Sequence, residues 1–216
     1  MPGGQERALR RRINSVQSTK QITRAMELIA ATRVVKAMTR ANAARPYSTK
    51  MTGVIEDLAA GGVGIDDPLL RSSETVSSIG FVVITSDRGL AGAYYSSVIR
   101  AAEKEIMAAQ TEGKEYKLVL VGKKAADYFR FRNYQIEASF SGMTDTPSYE
   151  DARDVATTVR DLFVSEAVDQ VILAYQEFVS MGTQRVAVRK FLPLESMQTV
   201  ATEGGGDADS RALFEF

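Results

Sequence analysis

The segment whose residue types and spacing come nearest to chemistry is Ser86-Asp87-Arg88-Gly89-Leu90-Ala91-Gly92. It leaves an apolar, β-branched run and enters a helical pattern, where the N–H groups of a helix start favour an anion. The spacing argues against a nucleotide site. There are two glycines in a G-x-x-G arrangement rather than G-x-G-x-x-G, and no lysine follows the second as in a P-loop. The simpler role for Gly89 and Gly92 is the backbone geometry of a tight strand-to-helix turn. Asp87 beside Arg88 reads as a local pair or as a contact to a partner. Lys123-Lys124 after Gly122 reads as a solvated helix start. Tyr128, Phe129, Phe131 and Tyr134 interleave with Arg130 and Arg132, a pattern that could stack RNA bases. Helical packing with the arginines outward is the preferred reading, because no RNP1-like run accompanies it.

Composition removes most other chemistry. The 216 residues include no cysteine and no histidine. That excludes disulfides, thiol nucleophiles, Ser-His-Asp triads and most zinc or iron–sulfur sites. The carboxylates are scattered, so no catalytic residues, cofactor site or metal site are expected. No apolar stretch is long enough to span a bilayer. The opening MPGGQERALRRR has no apolar core behind its charges, so a signal peptide is not expected.

The elements that must position these residues divide by charge. Residues 1–50 hold eleven Lys and Arg against Glu6 and Glu27, and the remainder carries an equal and opposite acidic excess, so the whole chain is neutral. A chain split in this way has one part suited to a negative partner. From Glu6 to Leu58 good helix formers dominate, broken only by Pro46 and Gly53. Within it Leu9, Ile13 and Val16, then Ile22, Met26 and Ile29, then Tyr47, Met51, Val54 and Leu58 advance in coiled-coil steps. The phase slips after Val16 and again after Ile29, which locally unwinds a supercoil. A long helix seeking a partner helix is expected over 1–60, with Pro46 a place where it bends or where a neighbour tolerates a lost hydrogen bond.

The rest alternates strand and helix. Strands are expected at 79–85, 116–122, 133–140, 170–178 and from Gln184 onward. Helices are expected at 94–110, at 123–132 and at 148–166, the last with Ser148 as N-cap and Asp151 in the capping-box position. The expected fold is α/β: a long N-terminal coiled-coil helix, a linker loop at 61–78, a Rossmann-like α/β domain at 79–195 with a mostly parallel five-stranded sheet, and a flexible acidic tail at 196–216.

Three stretches carry a resemblance. SVQSTKQITRAMELIAATRVVKA (15–37) with ARPY (44–47), VVITSDRGLAGAY (82–94) and EFVSMGTQRVAVRKFLPL (177–194) closely resemble the gamma-subunit family of F-type ATP synthases. They occur in that family's order and span most of the chain. The common bacterial form has Cys where Ala91 stands, a substitution that keeps the backbone demands of the loop.

The resemblance implies a rotor shaft without an active site, coupling proton-driven rotation to ATP synthesis. Its N-terminal helix is expected to be half of an antiparallel coiled coil, completed by a C-terminal helix beyond the point where these 216 residues stop. The implied partners are the alpha and beta subunits of the catalytic head, the epsilon subunit and the membrane rotor ring. No nucleic acid and no direct small-molecule substrate are expected. The implied place is the cytoplasmic face of the bacterial cell membrane, peripherally held. Met26 and the loop Ser86, Asp87, Arg88, Gly89, Leu90, Ala91 and Gly92 are expected near acidic levers of the beta subunits, with Arg33 and Lys36 as further shaft contacts. The rival readings are a nucleic-acid-binding protein using the basic rod, which predicts salt-dependent affinity, and a nucleotide-dependent enzyme, which predicts saturable nucleotide binding.

Overall fold

The computed structural model describes residues 2–60, 67–71, 73 and 75–194. The chain divides into two units, 1–63 and 64–216. The expected tail at 196–216, and residues 61–66, 72 and 74 of the expected linker, lie outside the described residues.

Among the described residues the first unit is a single helix, α1, Pro2–Ala60. At about 1.5 Å per residue its 59 residues span nearly 90 Å. It continues through Pro46. Its hydroxyls turn back on the helix: Thr19, Thr32 and Thr39 each donate to the carbonyl four residues earlier, at 3.0 Å. They are thereby satisfied without a neighbour. Glu6 and Glu27, the only acids in residues 1–50, pair with Arg10 and Arg24 a turn away. The helix surface keeps a cationic excess. Leu9, Ile13, Val16, Ile22, Met26 and Ile29 are all exposed, between 43% and 61%.

The second unit holds a single turn of 3-10 helix at Pro68–Leu70 and then the α/β elements. These are β1 Ser78–Ile84, α2 Tyr94–Thr111, β2 Glu115–Val121, α3 Lys123–Phe131, β3 Ala138–Phe140, α4 Tyr149–Val164, β4 Gln170–Ser180 and β5 Thr183–Leu192. The sheet order is β3-β2-β1-β4-β5. All pairings are parallel except β4 with β5, which forms an antiparallel hairpin. The mostly parallel five-stranded sheet expected from the sequence is present.

The side-chain period of two explains why both faces are buried. Phe81, Val83, Leu118 and Leu120 join Val98, Ile106 and Phe129 in one core. Val82 and Val119 face the other way and join Val159, Phe163 and Val171. Strands buried on both faces read as continuous apolar runs. β1, β2 and β3 succeed one another outward through α2 and α3, and α4 carries the chain back across the opposite face to β4. The reversal falls between β1 and β4, where open α/β sheets form a crevice at their strand C-termini.

β3 is shorter than the alternation of 133–140 predicts. Asn133 is left-handed, φ +58°, and closes α3. The Tyr134 hydroxyl donates to Glu103 at 3.0 Å and the Tyr128 hydroxyl to the same carboxylate at 2.9 Å. Tyr134 is drawn into α2–α3 packing, and only 138–140 reach the ladder with 119–121. Phe129 is fully buried among them, whereas Phe131 is exposed. The capping box of α4 forms as expected. Ser148 Oγ accepts from Asp151 N–H at 3.1 Å, and Asp151 Oδ2 accepts from Ser148 N–H at 2.8 Å.

Candidate functional site

The loop Ser86–Gly92 leaves the C-terminal end of β1 and is pinned from three directions by Asp87. Its Oδ1 accepts from Lys123 N–H, the first residue of α3, at 2.9 Å. Its Oδ2 accepts from the Thr144 hydroxyl at 2.7 Å and from Thr144 N–H at 3.0 Å. Asp87 N–H in turn donates to Thr144 Oγ1 at 2.9 Å. Ser86 C=O accepts from Lys124 N–H at 3.1 Å. The buried Thr85 hydroxyl accepts from Ala125 N–H at 3.1 Å and donates to Val121 C=O at 3.3 Å. The orphan donors at the start of α3 therefore point at this chain's own Asp87, Ser86 and Thr85. The anion favoured at such a helix start is supplied internally.

The electrostatics agree. Partial burial pushes the Asp87 carboxyl up. Hydrogen bonds from the Thr144 side chain and from the backbone of Gly142, Thr144 and Lys123 outweigh it and hold the carboxyl down at about 2. A carboxyl whose folded pKa lies below its unfolded value stabilises the fold fully above about pH 4 and loses that contribution as pH falls toward the folded pKa. Asp169, burdened by burial but bonded by Ser77 and Ser78 N–H groups, is shifted down in the same sense. Asp87→Asn is expected to lower stability at pH 7 by about 1–2 kcal/mol, the range for a charged acceptor replaced by a neutral one. It should also shrink, without abolishing, the loss of stability between about pH 4 and pH 2. Thermal melts across that range check both. An unchanged acid limb would show that the carboxylate is not held this way.

The rest of the loop corrects one expectation. Gly92 is left-handed, φ +59°, as its assigned role requires, but Gly89 is not; Leu90 takes the left-handed conformation instead, φ +62°. Leu90 is 90% exposed. Arg88 pairs with Asp145 at 2.9 Å, so the partner of Arg88 is Asp145 rather than its neighbour Asp87. Ala91 precedes α2, and its carbonyl accepts from Tyr94 N–H at 3.3 Å. Two contributors carried no signal in the sequence. Thr144 lies 57 residues from Asp87. Gly122 has φ +98° and packs on Thr85 so tightly that a Cβ would lie 2.3 Å from the Thr85 carbonyl oxygen.

Met26, Arg33 and Lys36 belong to the other unit. They stand at i, i+7 and i+10 on α1, so one side of the helix carries all three. All are exposed.

Beside the loop, on the α4 face, lies a pocket of about 410 Å³ lined by Val82, Ile84, Tyr94, Val121, Val155 and Phe191 among others. Its walls are almost wholly apolar, so it offers no cradle for phosphate. Burial raises the Tyr94 hydroxyl above its ordinary value. Among the described residues no group of His, Cys, Asp or Glu could hold a metal ion, and no helix is long and apolar enough to cross a membrane.

The family model for ATP synthase matches residues 5–216. The ATP synthase gamma chain of Kineococcus radiotolerans is 43% identical over 217 residues, covering 99% of this chain and 71% of that protein. The chain belongs to the ATP synthase gamma chain family. The gamma chain of Frankia casuarinae is 44% identical over 94% of this chain and 69% of its own length. The central stalk and c-ring structure of the Tetrahymena thermophila mitochondrial ATP synthase shares the fold, with a TM-score of 0.62 at 24% identity, covering 80% of this chain and 72% of that one. As a gamma chain, the protein is the central rotor stalk subunit of an F-type ATP synthase, the subunit that couples rotation to ATP synthesis.

Proposed function

We propose that this gamma chain works without chemistry of its own, as a shaft whose turning sets the state of neighbouring catalytic subunits. One observation carries the reading. A continuous 59-residue helix with an exposed apolar seam and a cationic excess is joined to an α/β unit in which Asp87 of the candidate loop is spent on capping the start of α3. A shaft needs a stiff element and surfaces for partners. In this reading α1 is half of an antiparallel coiled coil inside the alpha and beta subunits. The α/β unit is the foot, against the epsilon subunit and the membrane rotor ring, at the cytoplasmic face of the bacterial membrane. ATP chemistry belongs to the beta subunits. Their acidic levers meet Met26, Arg33 and Lys36 on the helix and the Ser86–Gly92 loop on the foot, so opposite charge sets the register of the contact.

Charge reversal tests this. Arg33→Glu with Lys36→Glu lies on an exposed helix surface, where substitutions usually cost less than about 0.5 kcal/mol of stability. In ATP synthase reassembled with the variant, coupled ATP synthesis is expected to fall several-fold while the melting temperature of the chain holds. Normal coupling, or unfolding of the variant, would remove these residues from the contact.

A further inference from the structure

Residues 61–66 alone separate the end of α1 from Asp67, and the stretch that follows is fastened to the turn between α4 and β4. Arg71 makes the central tie. Its Nη2 donates to Phe163 C=O at 3.2 Å and to Val168 C=O at 3.5 Å, the first of these in the last turn of α4, whose carbonyls have no partner further along the helix. Its Nη1 pairs with Glu166, which holds a left-handed backbone, φ +61°. The guanidinium lies over the Phe163 ring, 5.1 Å from its centroid. Further ties follow along the chain. Ser73 Oγ donates to Asp169 Oδ1 at 3.2 Å, and the N–H groups of Ser77 and Ser78 donate to Asp169 Oδ2 at 2.8 and 3.0 Å. Leu194, just past β5, donates its N–H to Leu69 C=O at 3.0 Å. Stability alone does not account for an arginine here. The Glu166 side chain is 71% exposed, so the ion pair adds little. Arg71 Nε is buried with no hydrogen-bond partner among the described residues, which costs free energy. An apolar side chain over Phe163 would avoid that cost. What a planar fork adds is direction, because it holds residue 71 to two carbonyls and a ring at once.

We propose that Arg71 is the positioning residue that stiffens the join between shaft and foot, so that turning of one reaches the other without slack. The proposal rests on the reading of α1 as the shaft and the α/β unit as the foot. A segment tied at a single point swivels about that point. Tied at Leu69, Arg71, Ser73, Ser77 and Ser78, this one does not. Leu69 is held by one backbone hydrogen bond, so without Arg71 the stretch from Asp67 to Ser73 can peel from the α4–β4 turn and lengthen the slack between the two units.

The test uses ATP synthase reassembled with the variant chain. ATP synthesis driven by a proton gradient across vesicles is measured against a rising ATP/ADP ratio, with ATP hydrolysis as the control for assembly. Arg71→Met keeps an apolar stem and loses the fork. Its synthesis is expected to fall about threefold to tenfold at the highest opposing ratio, in the range for residues that modulate coupling without touching a ligand. The loss should be much smaller at the lowest ratio, because a slack join yields further as the opposing torque rises. Equal loss of hydrolysis and synthesis, by one factor at every ratio, would mark a role in stability alone and overturn the proposal. Rescue is the second readout. The chain has no cysteine, and the backbone bond between Leu69 and Leu194 sets them at the spacing of neighbouring strands, which a disulfide spans. Leu69→Cys with Leu194→Cys, added to Arg71→Met, should restore synthesis when oxidised and lose it again in dithiothreitol. No rescue would show that Arg71 acts otherwise than by fastening, and the proposal would fall. Should Arg71→Met fold poorly, Arg71→Lys keeps the charge without the fork and serves the same comparisons with a smaller loss. Amide exchange at residues 69–71 and 194 separates the two ways of failing. Normal synthesis with these amides still protected would remove Arg71 from the join and leave shaft and foot standing. Normal synthesis with them released would remove the shaft-and-foot reading as well.

Discussion

Gly122→Ala is expected to be the most damaging single substitution in the α/β unit, lowering its stability by about 3 kcal/mol or more, a large share of the ~5–15 kcal/mol of a typical domain. Two costs add. Gly122 has φ +98° and ψ 136°, a region that only glycine occupies freely, and such strain costs on the order of 1–3 kcal/mol. A Cβ there would also lie 2.3 Å from the Thr85 carbonyl oxygen, 2.7 Å from its carbon and 2.8 Å from its hydroxyl. The obstructing atoms cannot step aside. Thr85 N–H donates to Val121 C=O at 2.8 Å, and Gly122 N–H donates to Phe140 C=O at 2.8 Å. Relieving the overlap means parting β1 from β2 at the end where the loop is mounted. Two other glycines calibrate the result. Gly92→Ala meets no atom within 4 Å but keeps φ +59°, so about 1–2 kcal/mol is expected from conformation alone. Gly89→Ala meets only Lys124 Cε at 3.9 Å and needs no left-handed backbone, so it should be close to neutral. Denaturant melts should rank the losses Gly122, then Gly92, then Gly89. A Gly122→Ala protein as stable as wild type would mean that the close approach of β2 to Thr85 does not hold.

That ranking also marks where sequence reasoning reached and where it stopped. β1 and β2 were legible because strands buried on both faces must be continuous apolar runs, and Phe81-Val82-Val83 and Leu118-Val119-Leu120 are such runs. The N-terminus of α4 was legible because a capping box is local, Ser148 to Asp151. The Ser86–Gly92 turn was legible as a place, but its internal assignments were not. Glycine spacing nominated Gly89, whereas Leu90 carries the left-handed conformation, held by contacts that arrive from Thr144 and Lys123. Asp87 could be read as an acid beside an arginine. That it serves as the anion at the start of α3 depends on a strand order that brings β1 and β2 side by side, which no local pattern states. β3 came out short for a similar reason: Tyr134 alternates as a strand residue would, and the carboxylate of Glu103 on α2 claims its hydroxyl.

In α1 the pattern was read directly and its consequence is thermodynamic. Leu9, Ile13, Val16, Ile22, Met26 and Ile29 step at the spacing of a coiled-coil seam, and every one is exposed. Burying one apolar side chain is worth roughly 1.5–3 kcal/mol, so covering six of them is worth on the order of 10 kcal/mol. Helix propensity alone leaves such a segment marginal, and the hydroxyl back-bonds of Thr19, Thr32 and Thr39 add no tertiary hold. Amide hydrogen exchange on the chain by itself is therefore expected to be fast across 8–40 and slow in 79–84, 116–121 and 170–174, where the strands are laddered inside the sheet. Supplying the C-terminal helix of a gamma-chain relative as a peptide should change only the first region. Each 1.4 kcal/mol is tenfold in an equilibrium, so even a third of the seam's packing would slow exchange there by roughly a hundredfold. Replacing Ile22 and Ile29 by Ala should weaken that slowing. Strong protection of 8–40 in a proven monomer without added peptide would show that the helix already has its partner within these 216 residues, and the half-coiled-coil reading of α1 would be wrong.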